Sequence, residues 1–517
     1  MKTNLNATAA KWPESQILPN DWTRVPRPQK KRPSTSLPQP ILLLGLLVLL
    51  TLYRFWVIPR LGVTLYIDEA QYWTWAQAPD WGYFSKPPVI AWLIWLSTTL
   101  FGNGLLAIKL PSLLLYPATA WLLYLLGKQL FDVRIGFRAG LAYALMPLVA
   151  ALGMAVSTDA PLLFFWTAAM LCLLRAVEHD HWLDWLLLGA ALGLGIMSKY
   201  TMAAFGASAL LYLLLDRQRR HALTRPGLWC AIALALLIVL PNIIWNWSHD
   251  FPTLRHTADI THVDGGNDKR GNIIEFILAQ IGSLGPGFAI AFAGGGVLAF
   301  KRLRKPRYQF LLCFALPLLG LVSLQALRAE ANGNWAAPAL LPAVILACAW
   351  LGRLRLRWWG IALALNVVIM LVAYHQQDIL QLFGKPMVAR IDPLKRARGW
   401  EQLAAEIRPI LDANPQAIVL TEDRTISAHL LYQLRDMNRD FAAWAPLEHP
   451  QDHYQLSMPL LESHNPRTFI LISPSQAQQI SARFAQQEAL AQVSVEIEPG
   501  LRRELGVWRL KGFMGYR

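Results

Sequence analysis

Long apolar runs separated by short basic breaks fill the chain from residue 41 to residue 375. The first run, 41–58, is long enough to cross a bilayer, and Pro59 ends it. The next, 89–101, is too short, because a span needs roughly 20 residues. If 89–101 crossed, Lys128, Arg134 and Arg138 would fall outside. If it lies in the interface, 105–126 is the second span and the three cations fall inside, as basic loops do. The pattern therefore predicts one long external segment, 59–104, with interfacial helices over 69–77 and 89–101. Further spans are expected at 139–156, 162–177, 182–197, 201–215, 227–245, 273–300 with a kink at Gly285-Pro286-Gly287, 308–326, 338–351 and 358–374. That makes about eleven spans, with the N-terminus cytoplasmic and the C-terminus external. Residues 246–272 read as a polar external loop, and 328–335 as an external turn.

From residue 376 the pattern becomes that of a soluble domain. Helices are expected over 399–411, over 425–435 behind an Asp423 cap, and over 475–487. Strands are expected over 417–421, 468–473, 491–497 and 505–511. The fold class is a mainly α, polytopic membrane protein with a small C-terminal α/β soluble domain. It divides into a basic tail (1–40), a membrane part (41–375) and the C-terminal domain (376–517), which topology puts in the periplasm. The C-terminal part has no Gly-rich phosphate loop, so no nucleotide site is assigned.

Composition agrees. Of 517 residues 55% are hydrophobic and only 16% charged, as in polytopic membrane proteins. The net charge of +15 sits in short clusters between apolar runs, which sets orientation; nucleic-acid binding is excluded for want of a basic, aromatic-interleaved domain. Cys172, Cys230, Cys313 and Cys348 all fall inside apolar runs without metal-like spacing and read as core. The late first apolar run, without a small-residue cleavage pattern after it, argues against a cleavable signal peptide.

This topology brings scattered polar residues to one side. Asp68, Glu69, Lys86, Asp159, Lys199, the 246–272 loop with His256, and Glu330 all emerge on the external face. Ionisable groups at membrane level are costly and point to function. Plainer roles compete: Asp68 and Asp159 as helix caps, Lys86 and Lys199 as snorkelling lysines. An ammonium beside a bilayer also suits a lipid phosphate. His256 and His262 lie near Asp259 and Asp264, but solvated loop histidines are commoner than metal ligands, so no metal or other cofactor is assigned.

Four motifs carry a resemblance: Asp68-Glu69-Ala-Gln-Tyr72-Trp73, Trp81-Gly-Tyr83-Phe-Ser-Lys86-Pro-Pro88, Lys109-Leu-Pro-Ser112 and Ser157-Thr-Asp159-Ala-Pro161. They resemble the multi-spanning GT-C glycosyltransferases of families 39 and 83, which include the lipid A aminoarabinose transferase and the protein O-mannosyltransferases. The resemblance covers about residues 41–375. It implies transfer, with inversion, from a polyprenyl-phosphate-linked sugar donor to a lipid A, glycolipid, polysaccharide or protein acceptor at the periplasmic face of a bacterial inner membrane. It implies a catalytic role for Asp68, a second cavity carboxylate in Asp159, here assigned a catalytic role too, and a donor-phosphate contact by Lys86; the position of Lys199 suggests the same contact. Glu69, Tyr72, Tyr83, His256 and Glu330 are expected to line the substrate cavity. Some relatives carry Glu immediately before the lysine, where this chain has Ser85. Two other classes were weighed. A flippase of lipid-linked sugars would bury ionisable residues mid-span in paired halves. A non-catalytic envelope scaffold would have no deep cavity near Asp68.

Overall fold

The computed structural model describes residues 38–261, 271–474 and 477–516. The tail 1–37, His262, Asp264 and Asp268 lie outside the described residues.

The membrane part is a helical bundle. Helix α1 spans Gln39–Val57 and is followed by α2 (Ile67–Gln77), α3 (Val89–Phe101), α4 (Leu105–Leu130), α5 (Val133–Ala144), α6 (Pro147–Leu152), α7 (Asp159–His179) and α8 (Trp182–Ile196). Then come α9 (Ala204–Leu214), α10 (Arg217–Arg220), α11 (Pro226–Ser248), α12 (Pro252–Thr261), α13 (Ile273–Leu284), α14 (Pro286–Lys301), α15 (Pro306–Arg328), α16 (Ala337–Leu351), α17 (Leu356–Tyr374) and α18 (Gln376–Leu382). Among the described residues, 7 helices are long and apolar enough to cross a membrane, or 8 if the bent pair α13 and α14 is one span. Eleven full-length spans are therefore not what the helices provide. The expected spans 182–197 and 201–215 are short apolar helices.

Two departures have clear causes. The expected span 139–156 is split between α5 and α6, because Pro147 has no N–H to continue the ladder. The break leaves the Ala144 carbonyl without its helical donor, and the buried Arg54 guanidinium donates to it at 3.0 Å. A second Arg54 nitrogen donates to Tyr374 Oη at 3.0 Å, and that hydroxyl donates to the Ala150 carbonyl. The predicted kink near Gly285 is a bend of 103°. Gly285 has φ +83°, and Asn366 of α17 donates to the Leu284 carbonyl that the bend frees. Elsewhere small residues let helices approach closely: a Cβ on Gly189 of α8 would stand 2.5 Å from the Ala231 carbonyl of α11.

The C-terminal part contains α19 (Trp400–Asp412), α20 (Arg424–Gln433), α21 (His453–Ser457) and α22 (Ala477–Ser481) around a five-stranded sheet. Its strands are β1 (Ile418–Thr421), β2 (Phe441–Ala443), β3 (Thr468–Ser473), β4 (Phe484–Glu498) and β5 (Leu501–Phe513), in spatial order β2-β1-β3-β5-β4. β1 pairs parallel with β2 and β3; β5 pairs antiparallel with β3 and β4. Side chains alternate between faces. Val419 and Ile470 meet Trp400, Leu403 and Ile407 of α19, while Leu420 and Leu471 meet Trp444 and Ile480 on the other face. Asp423 caps α20 by accepting from the Thr425 and Ile426 amides. The helix expected over 475–487 is instead the short α22, and the chain is in strand β4 from Phe484. β4 and β5 form one long hairpin.

Candidate active site

The site begins with α2. Tyr66 N–H donates to Glu69 three residues on at 2.8 Å, so a first-turn carboxylate secures the helix start. Asp68 and Glu69 then diverge. Glu69 is fully buried. Its two oxygens accept from Lys109 Nζ at 2.7 and 2.8 Å, and from the Val156 and Tyr66 amides. Lys109 completes its shell with the Met154 carbonyl. Four hydrogen bonds from three groups close off the Glu69 carboxylate, so it joins α2, α4 and the α6–α7 connection; the expectation that it lines the cavity is corrected. Asp68, on the opposite side of the helix start, is 59% exposed and ion-paired with Arg424 of α20.

The turn between α2 and α3 is built from aromatic rings. Tyr83 stacks on Trp75 at 4.6 Å and donates to the Trp75 carbonyl at 3.0 Å; burial pushes its phenol well up from the ordinary value. Tyr72 is buried 5.1 Å from Trp75, and its phenol is also raised by burial. Tyr83 thus packs as core, while the Tyr72 phenol stands in the field of Asp68, Arg424 and Asp159. Trp245 and Asn242 of α11 hold the turn at Asp80 and Trp81. The Val89 amide donates to the Met197 carbonyl, joining the start of α3 to the chain just before Lys199.

Lys86 leaves this turn half-buried. Burial lowers its pKa from the ordinary lysine value, and the neighbouring Lys199 lowers it further; Asp68 and Asp159 oppose both. Asp159, in the first turn of α7, is buried and accepts from Lys199 Nζ and from Asn334 Nδ2, each at 2.7 Å. It makes an ion pair and no N-cap contact. The cations thus divide: Lys109 pairs with Glu69, Lys199 with Asp159, Arg424 with Asp68, and Lys86 with no described carboxylate.

Lys86 and Lys199 open on a cavity of about 440 Å³. Its polar end also carries Ser85, Tyr200, Thr201 and Thr257; Ala204, Leu318, Leu321 and Val322 form the apolar wall. Such a space accepts a molecule with an anionic head and a hydrocarbon tail. His256 packs against Phe84 at 5.5 Å, its pKa lowered to about 4 first by burial and then by Lys86. It does not line the cavity, nor does Glu330, which is exposed in the turn after α15. Among the described residues, no three His, Cys, Asp or Glu side chains converge as a metal site would need. Reading the sequence alone missed the roles of Lys109 and Arg424. Lys109 stood inside a quoted motif, and its charge within an apolar helix was the available signal. Arg424 lies in a domain whose placement no local pattern records.

Comparisons with known proteins agree with this architecture. A family model described as dolichyl-phosphate-mannose-protein mannosyltransferase matches residues 85–245. The lipid A galacturonosyltransferase RgtD of Rhizobium johnstonii is 32% identical over 418 residues, 80% of this chain and 87% of that one. The undecaprenyl phosphate-alpha-4-amino-4-deoxy-L-arabinose arabinosyl transferase of Pseudomonas aeruginosa is 30% identical over 215 residues, 38% of this chain and 39% of that one. In structure, ArnT from Cupriavidus metallidurans, solved with undecaprenyl phosphate bound, superposes with a TM-score of 0.61 over 90% of this chain and 97% of that one, at 16% identity.

Proposed function

The chain belongs to the GT-C glycosyltransferases that draw their sugar from a polyprenyl phosphate, and we propose that it glycosylates lipid A or the lipopolysaccharide core at the periplasmic face of the inner membrane. It is a multi-pass membrane glycosyltransferase. The acceptor is inferred from its relatives, a lipid A galacturonosyltransferase and an aminoarabinose transferase. Residues 1–40 face the cytoplasm, 41–375 form the membrane part, and 376–517 stand in the periplasm.

One observation carries the reading. Lys86, which among the described residues pairs with no carboxylate, stands at the polar end of a cavity whose wall is Leu318, Leu321 and Val322. A lipid phosphate fits it head and tail. In the reaction the acceptor oxygen attacks the anomeric carbon from the face opposite the phosphate. The bond from that carbon to the phosphate oxygen breaks, and the lipid phosphate leaves with the electron pair, so the configuration inverts. Lys86, with Lys199 beside it, stabilises the charge growing on that phosphate. Asp68 is the exposed carboxylate and takes the acceptor proton when the acceptor is a hydroxyl. Asp159, saturated by Lys199 and Asn334, holds Lys199 in place. Ser85 leaves the cavity mouth without the extra carboxylate that some relatives carry.

The test is mass spectrometry of lipid A and core from a deletion strain, its parent, and a strain complemented with Asp68→Asn. Loss of one glycosyl substituent in the deletion strain and in the Asp68→Asn strain is expected. Identical glycolipids in parent and deletion strain would overturn the proposal.

A further inference from the structure

Arg424 comes from the last quarter of the chain and yet touches the centre of the site. It opens α20, and its guanidinium reaches two residues on one face of α2: Nη2 donates to Asp68 Oδ1, and Nε to Gln71 Oε1. Positions three apart share a helix face, so one planar fork spans both. The neighbouring carboxylate, Asp423, is occupied in capping α20 and does not compete.

The approach of Arg424 is enforced by packing. Trp73 meets Tyr432 edge-on at 5.2 Å, Trp75 meets His453 at 5.5 Å, and Thr74 Oγ1 lies 3.3 Å from Tyr454 Oη. Ala428, Tyr432, Ala443 and Tyr454 share one buried cluster with Ala70, Tyr72, Trp73 and Trp75. A half-exposed ion pair contributes little stability, about 0–1 kcal/mol. Its consequence lies instead in where the Asp68 carboxylate points.

We infer that Arg424 is a positioning residue for glycosyl transfer, so that the C-terminal domain completes the active site by fixing the Asp68 carboxylate beside the cavity. This rests on the assignment of Asp68 to the acceptor. Arg424 does not line the lipid cavity. Its charge reaches Lys86, but less than those of Lys199, Asp68 and Asp159 do, so it bears chiefly on the transfer step.

The experiment uses the full chain in liposomes. It measures transfer from a polyprenyl-phosphate sugar to lipid A and, separately, the affinity for polyprenyl phosphate. Arg424→Ala is expected to lower kcat roughly 10–100-fold, as misplacing a catalytic group by about an ångström does, with lipid phosphate affinity and the donor KM unchanged. Arg424→Lys is expected to recover part of the rate, and added guanidinium to raise the rate of Arg424→Ala but not of wild type. Wild-type kcat in Arg424→Ala, or loss of lipid phosphate affinity in both Arg424 variants, would overturn the inference. An inactive wild-type protein that still binds lipid phosphate would instead refute the assigned reaction.

Discussion

Asp68 and Glu69 are adjacent carboxylates with opposite expected consequences. In Glu69→Gln the amide offers one oxygen where the carboxylate offered two, and each of those takes a backbone amide as well as Lys109. Whichever way the amide turns, an NH₂ group faces a backbone N–H. That leaves a buried donor unsatisfied, a loss of about 1–3 kcal/mol. Lys109, fully buried, is left without its counter-charge, and breaking such a pair costs about 3–5 kcal/mol. The two effects overlap, so about 3–5 kcal/mol is expected in all, a large share of a typical stability of about 5–15 kcal/mol. Exchanging the charges, with Glu69→Lys and Lys109→Glu together, is not expected to rescue, because an ammonium would face two amide donors. Asp68→Asn, at a half-exposed pair, is expected to cost under about 1 kcal/mol while abolishing transfer. The assay is the unfolding midpoint of purified protein in nanodiscs beside the transfer rate of the same sample. Wild-type stability in Glu69→Gln, or an equal stability loss in Asp68→Asn, would refute the division between framework and reacting carboxylate.

Three more expectations follow from the geometry. Burial and Lys199 lower the Lys86 pKa, so polyprenyl phosphate affinity should fall with rising pH before the ordinary lysine range; Lys86→Met should remove that dependence and weaken binding roughly 10–100-fold, the worth of a charge-assisted hydrogen bond. His429 lies stacked on Trp400 at 4.0 Å with its pKa lowered by burial from 6.5 to about 3. The unfolded chain then binds the proton first, so its contribution to stability is complete above pH 6.5 and is lost as pH falls toward 3; His429→Phe should flatten that part of the stability–pH curve. In Gly285→Ala, the new Cβ would meet Asn366 Oδ1 at 1.8 Å in a backbone with φ +83°, and a loss of about 1–3 kcal/mol is expected in thermal unfolding, eased in part by Asn366→Ala.

Much of the architecture was legible because the bilayer imposes it. The 13-residue helix Val89–Phe101 is too short to span, and the charges at Lys128, Arg134 and Arg138 fixed its reading as interfacial. The run 139–156 was misread as continuous because hydropathy does not register the missing amide of Pro147. The capping role of Asp423 was legible because an N-cap is a local device. The partners of Asp68, Glu69 and Asp159 were not, since Arg424, Lys109 and Asn334 stand 356, 40 and 175 positions away. Composition likewise could not separate Tyr83 as core from Lys86 as cavity wall, because both sit in one aromatic loop.

The buried cluster shared by α2 and the C-terminal domain also orders events during biogenesis. Asp68 leaves the ribosome 356 residues ahead of Arg424, a lag of roughly 20–70 s at ordinary elongation rates. Through that interval Trp73 lacks its contact with Tyr432, and Trp75 its contact with His453. On the role proposed for Arg424, turnover waits until the C-terminal domain has been made and has docked on α2.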